Sequence, residues 1–176
     1  MITSETDERL HGWFAGRLPD EWQVQPAEVV ADREEITVTV TIPDVDLPDA
    51  SPAQAAEARA GRAKAFREET RERRMTIAQE AEHRFRTKVS WGVVVGEGES
   101  AHRELFTHLA VPVMTRLRQP ERLVLETLVD AGVARSRSEA LGWCVRLVAQ
   151  HESDWLAQLR EAMVGLDDVR SRGPAA

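Results

Sequence analysis

One cysteine, Cys144, occurs in 176 residues, so a single copy can build neither an internal disulfide nor a multi-cysteine zinc site. Its expected role is a small buried apolar side chain. Lysine is scarce as well: it stands only at 64 and 88, and arginine makes up the rest of the 23 basic residues, a usage that points to a GC-rich genome. No apolar run approaches the length that crosses a bilayer. The start, Met1 to Glu8, is polar and acidic, with neither the basic residues nor the hydrophobic stretch of a secretory signal, so the expected compartment is the cytoplasm.

Catalytic groupings are thin too. His102-Arg103-Glu104 has the form H-x-E, but deaminase chemistry needs cysteine ligands downstream, and only Cys144 is there. A metal held by His102 and His108 finds no further obvious ligands. Gly96-x-Gly98 lacks the remaining glycine and the strand-to-helix context of a nucleotide loop, so a plain turn accounts for it. The acidic pairs 34–35 and 167–168 lie in polar stretches. Trp13, Trp22, Trp91, Trp143 and Trp155 are dispersed, as core packing requires, and form no stacking platform. The reading is a non-enzyme with no cofactor and no metal.

What is present is an ordinary globular composition, 42% hydrophobic and 30% charged, in a chain long enough for one substantial core or two small domains joined intimately. The net charge of −7 counts against nucleic-acid binding, because duplex affinity comes largely from cations that displace counterions. The acidity is local, however. Residues 1–56 carry 3 basic and 12 acidic side chains, residues 57–88 carry 10 against 6, and residues 111–151 carry 6 against 4.

Along the chain, Ser4 and Asp7 ahead of Leu10, Trp13 and Phe14 predict a short capped helix that ends near Gly16 and docks by its aromatic end. Residues 28–31 and 35–42 flank Asp32-Arg33, and Ile36, Val38, Val40 and Ile42 alternate with threonines. That pattern predicts a hairpin with one buried face. Ser51-Pro52 opens a long helix to about Arg86, with an apolar stripe only in its second half and with Glu68, Glu69, Glu72, Glu80 and Glu82 spaced for intrahelical ion pairs. Residues 89–95, a turn at 96–98 and extended sequence from 104 to 117 predict a second hairpin.

From Val111 the order becomes strand, helix, tight turn, helix. Val111, Val113, Thr115 and Leu117 fall on one side of the expected strand, and Pro112, Met114, Arg116 and Arg118 on the other. Pro120 suits a first helical turn, Leu123, Leu125, Leu128 and Val129 give a short apolar face, and Gly132 ends the helix. Ser136-Arg137-Ser138-Glu139 then has the form of a capping box. In the helix that follows, Leu141, Trp143, Cys144, Val145, Leu147 and Val148 leave Arg146 as the only charge between 140 and 149. A helix apolar on nearly every side needs cover on nearly every side, and one short companion cannot supply it. A second copy packed on those six residues is the simplest cover, with the N-terminal sheet and helices as the other source.

This stretch, about residues 109–151, resembles the ribbon-helix-helix superfamily of bacterial repressors and antitoxins. The likeness lies in Leu128-Val129-x-x-Gly132-x-x-x-Ser136-Arg137-Ser138-Glu139-Ala140-Leu141 and the downstream Val145-Arg146, preceded by the 111–118 strand. The resemblance implies a homodimer in which one strand from each chain pairs into a ribbon lying in the major groove of double-stranded DNA. Met114 and Arg116, flanked by Pro112 and Arg118, would face the bases, and Arg116 is the side chain suited to guanine. Ser136, Arg137 and Ser138 at the second helix start would hold a phosphate. The chain departs from the family at Pro112 and Met114, where readers of this kind carry small polar or basic residues. Proline also removes a ribbon donor.

The expected architecture is α+β: an N-terminal region of hairpins and a long helix (1–108), the ribbon-helix-helix-like module (109–151), and a C-terminal helix with a short tail (152–176). Leu156, Leu159, Met163 and Leu166 form a coiled-coil-like seam on that last helix. The expected function is transcription regulation by a dimeric DNA-binding protein. The alternative is a dimeric scaffold or antitoxin-like protein whose acidic N-terminal region or last helix contacts a protein partner.

Overall fold

The computed structural model describes residues 4–107 and 109–172 and divides into two compact units, Met1–Val111 and Pro112–Ala176. The fold is α+β.

The first unit opens with helix α1 (Ser4–Arg17) and a single 3-10 turn at Asp20–Trp22. Strands β1 (Glu28–Ala31) and β2 (Glu35–Ile42) form the expected hairpin, closed by Asp32, whose carboxylate accepts from the N–H groups of Glu34 and Glu35, each at 2.8 Å. Ser51 and Gln54 make a complete capping box: the Gln54 N–H donates to Ser51 Oγ and the Ser51 N–H to Gln54 Oε1. With Pro52 in the first turn, this fixes the start of α2 (Pro52–Glu69).

The expected single helix from 52 to 86 is in fact two, α2 and α3 (Arg71–Phe85), broken at Thr70. Neither glycine nor proline marks the break. Thr70 adopts φ −95° and ψ 2°, and its hydroxyl and its backbone N–H both donate to Phe66 O, at 2.5 and 3.1 Å. Strand β3 (Lys88–Val95) and β4 (His102–Leu105) complete the unit and make the second hairpin, but its outer strand stops at Leu105 instead of running toward 117.

The sheet order is β1-β2-β3-β4, with antiparallel outer pairs and a parallel central pair. Parallel neighbours need a long crossover, and α2 with α3 supplies it. Register sorts the two faces. Ile36, Val38, Val40 and Ile42 lie beside Val89, Trp91, Val93 and Val95, and this face carries the core with Leu10, Phe14, Phe66, Ile77 and Ala81. Trp91 meets Phe14 and Trp22 edge to face, with centroids 6.5 and 6.3 Å apart.

On the opposite face small side chains line up, Thr37 beside Ser90, Thr39 beside Gly92 and Thr41 beside Val94. Their low relief lets Arg103 of β4 reach Glu28 of β1 across the two central strands, at 2.5 Å. Gly92 helps keep this face low, since a Cβ would stand 2.7 Å from Leu105 Cδ2 and 3.0 Å from Thr39 Oγ1.

The glutamates of α2 and α3 do not form the expected intrahelical pairs; among the described residues no ion pair lies within either helix. The pairs tie elements together instead: Arg17 to Glu80, Arg59 to Asp44, Arg67 to Glu104 and Arg73 to Glu21. Arg17, Arg59 and Arg73 hold the carboxyls of Glu80, Asp44 and Glu21 below their ordinary range, chiefly through the hydrogen bonds they donate. Once the chain has folded, these cations take carboxylates from other elements.

The second unit contains three helices: α4 (Gln119–Asp130), α5 (Arg137–His151) and α6 (Ser153–Arg172). Gly132, at φ 74°, closes α4 in the left-handed conformation that favours glycine, and Val133 N–H reaches back to Leu128 O at 3.0 Å. Its buried residues are Leu125, Ala134 and Ala140, with Leu117, Leu128, Val129, Leu141 and Cys144 packed around them. Among the described residues no helix is long and apolar enough to cross a membrane.

Candidate nucleic-acid interface

Residues 109–118 are neither strand nor helix within this chain. The expected strand at 111–118 is therefore absent from the single copy. A strand exists only against a neighbour, and no backbone–backbone hydrogen bond joins residues 109–117 to any described residue. Met114 is 96% exposed, and Arg116 and Arg118 are exposed as well. Leu117 turns inward onto the α4–α5 core. Arg122 donates to Leu117 O at 2.9 Å, which anchors the segment where it enters α4. Arg116, Arg118 and Arg122 are thus three cations within seven residues, and none forms an ion pair with a described residue.

At the start of α5, Ser136 Oγ accepts from the Glu139 N–H at 3.2 Å, as a capping box requires. The Glu139 carboxylate reaches one residue further back than expected and accepts from the Arg135 N–H at 2.8 Å. Arg137 is not free: its guanidinium pairs with Glu126 of α4. Of the three residues expected to hold phosphate, Ser136 caps the helix, Arg137 is neutralised, and Ser138 faces solvent. The Glu126 carboxylate occupies the Arg137 guanidinium and the Ser136 hydroxyl occupies the Glu139 N–H, donors that a phosphate would need.

The six residues expected to pack on a second copy divide along α5. Leu141 and Cys144 are half-buried in the α4–α5 core and Trp143 is half-buried beside them in sequence, while Val145 (63% exposed), Leu147 and Val148 stand outside the core. Leu123, Val124 and Val133 are exposed too, so apolar surface extends over both helices and their turn. On α6, Trp155 is exposed instead of packed in a core, as is Leu159, whereas Leu156 and Met163 are half-buried. The side chain of Leu166 lies outside the described residues.

Elsewhere, His102 Nε2 is buried without a hydrogen-bond partner, 3.7 Å from the Glu104 carboxylate. His108 lies outside the described residues. Among the described residues no three histidine, cysteine, aspartate or glutamate side chains gather closely enough to hold a metal.

Residues 8–101 match a family model described as the N-terminal domain of Rv1265-like proteins, and residues 118–170 match the Mb1296 C-terminal domain. The two matches fall one in each compact unit, and neither description names a ribbon-helix-helix family. Among similar proteins are uncharacterized protein Mb1296 of Mycobacterium bovis and uncharacterized protein Rv1265 of Mycobacterium tuberculosis. Each is 59% identical over 162 residues, covering 92% of this chain and 69% of the relative. No solved structure matches. With both units matched and that identity sustained over nearly its whole length, the chain belongs to the Rv1265-like family.

Proposed function

We propose that the second unit dimerises in the ribbon-helix-helix manner and that the dimer binds double-stranded DNA as a cytoplasmic transcription regulator. The observation that carries this reading is one juxtaposition: an exposed segment with unpaired backbone, residues 109–117, leads directly into a helix-turn-helix whose apolar surface at Val124, Val145 and Val148 is uncovered. A second copy would satisfy both deficits at once, pairing segment with segment and covering helix with helix. Met114, Arg116 and Arg118 would then project from the ribbon, with Arg116 as the base reader.

The scaffold alternative has its own support. Pro112 and Met114 are poor ribbon and groove residues, and Glu126 already neutralises Arg137. In that reading the dimer forms but contacts a protein partner through the acidic front of the chain or α6.

The experiment is a salt titration of binding to mixed duplex DNA, with sedimentation to fix the oligomeric state. Wild type should bind at low salt with a slope of about −0.9 per phosphate contacted. Arg116→Ala should lose roughly 1–3 kcal/mol on a cognate site. Dimers that ignore duplex DNA at low salt select the scaffold, and a stable monomer at micromolar concentration ends both readings.

A further inference from the structure

The first unit buries a cation that no carboxylate neutralises. Arg74 is 7% exposed; its Nε donates to Thr70 Oγ1 at 3.0 Å and its Nη2 to Arg67 O at 2.6 Å, while the guanidinium lies over the Phe106 ring at 4.6 Å. It forms no other hydrogen bond and no ion pair with a described residue, although a guanidinium has five N–H groups to place. Two more guanidiniums crowd it. Arg67 faces the same Phe106 ring at 5.6 Å and has one acidic contact, Glu104 at 3.5 Å; Arg71 is exposed and forms no ion pair with a described residue.

We infer that Arg74 and Arg67, over the Phe106 ring, with Arg71 one turn before Arg74 on α3, form an oxyanion site that takes a phosphoryl group. A buried charge needs a counter-charge, and the carbonyls at the end of α2 supply only about half of one. That helix end accounts for the two hydrogen bonds of Arg74. It does not account for a second guanidinium, that of Arg67, over the same ring, or for the further like charge that Arg71 adds at Arg74. Burial first, then Arg67 and Arg71, pushes the Arg74 guanidinium down to about 10. Tetrahedral oxyanions fit because several planar forks can each donate to a separate oxygen. The phosphoryl group could belong to free phosphate or to a nucleic-acid backbone, and the same chemistry serves both.

The test uses the full chain. Thermal unfolding and calorimetric titration are run with inorganic phosphate and pyrophosphate against chloride at matched ionic strength. Wild type, Arg71→Gln and Arg74→Lys are compared, because Arg71 is exposed and its loss leaves packing intact should Arg74→Lys fail to fold. For a free-phosphate site, phosphate or pyrophosphate raises the melting temperature of wild type above the chloride control, and Arg71→Gln weakens the anion about 10-fold. For a backbone site, the small anions do nothing, but Arg71→Gln reduces the salt slope of duplex binding by about 1. If neither anion stabilises wild type and the slope is unchanged, Arg74 is a cap on α2 and the inference is overturned. Arg116→Ala should leave the phosphate response intact, which separates this site from the one proposed on the second unit.

Discussion

In the first unit Leu10, Phe14, Ile77 and Val93 lie wholly inside, enclosed by a sheet and three helices of the same chain. In the second, Leu125, Ala134 and Ala140 form the buried centre while Val124, Val145 and Val148 look outward. Both units have capped helices and sound turn chemistry, so local structure is not what separates them. The contrast lies in layers. A sheet presents a broad surface on which helices can lay their stripes, whereas three helices of modest length leave much of their apolar surface without a counterpart. Apolar patches on a compact unit mark where another surface belongs.

Four substitutions test that contrast, the most damaging first. Phe14→Ala should cost about 3–5 kcal/mol in denaturant unfolding, since the ring is fully buried against Trp91, and the loss should not depend on protein concentration. Val145→Asp should behave oppositely. In an isolated chain an exposed position tolerates aspartate within about 0.5 kcal/mol, but an unpaired charge in a dimer core should shift sedimentation to the monomer at micromolar concentration. A dimer that survives this change places its interface elsewhere. Gly92→Ala should cost about 1–2 kcal/mol, because the new methyl meets Leu105 at 2.7 Å and only that flexible side chain can yield. Smallest is Glu126→Gln: freeing Arg137 from an exposed pair worth about 0–1 kcal/mol should tighten duplex binding a few-fold, read by fluorescence anisotropy. Unchanged binding would remove Arg137 from the interface.

Much of the first unit was legible in residue order. Alternation from Ile36 to Ile42 announces a strand, and Ser51-Pro52 marks a helix start, because each signal is local; the expectation of one buried face fails, since Thr39 and Thr41 are buried as well in a central strand of the sheet. The break at Thr70 was not legible, since threonine is compatible with a helix interior, where its hydroxyl can bond the same i−4 carbonyl. Nor was the parallel pairing of β2 with β3, because alternation specifies a face and says nothing of strand direction. The glutamates of α2 and α3 misled for a related reason: spacing reveals neighbours on one helix but not the arginine that folding brings from another element, such as Arg17 for Glu80.

The candidate interface shows the same division. Pro120, Gly132 and Ser136 announced two helices and their turn, and the helices stand where those residues put them. That Glu126 claims Arg137 had no signal, as the two lie on different helices and meet only when α4 and α5 pack. The meeting of Arg67 and Arg74 over Phe106 was equally hidden, because Phe106 follows β4 and comes to them only when the sheet has formed.

Residue order alone determined the hairpin of β1 and β2 and the starts of α2, α4 and α5, since caps, turn residues and periodicity act over a few residues. Tertiary structure decided which strands lie parallel, which charges find partners, and which apolar faces are left uncovered. Those outcomes depend on contacts between residues far apart in the chain, and no local pattern encodes the distance that closes between them.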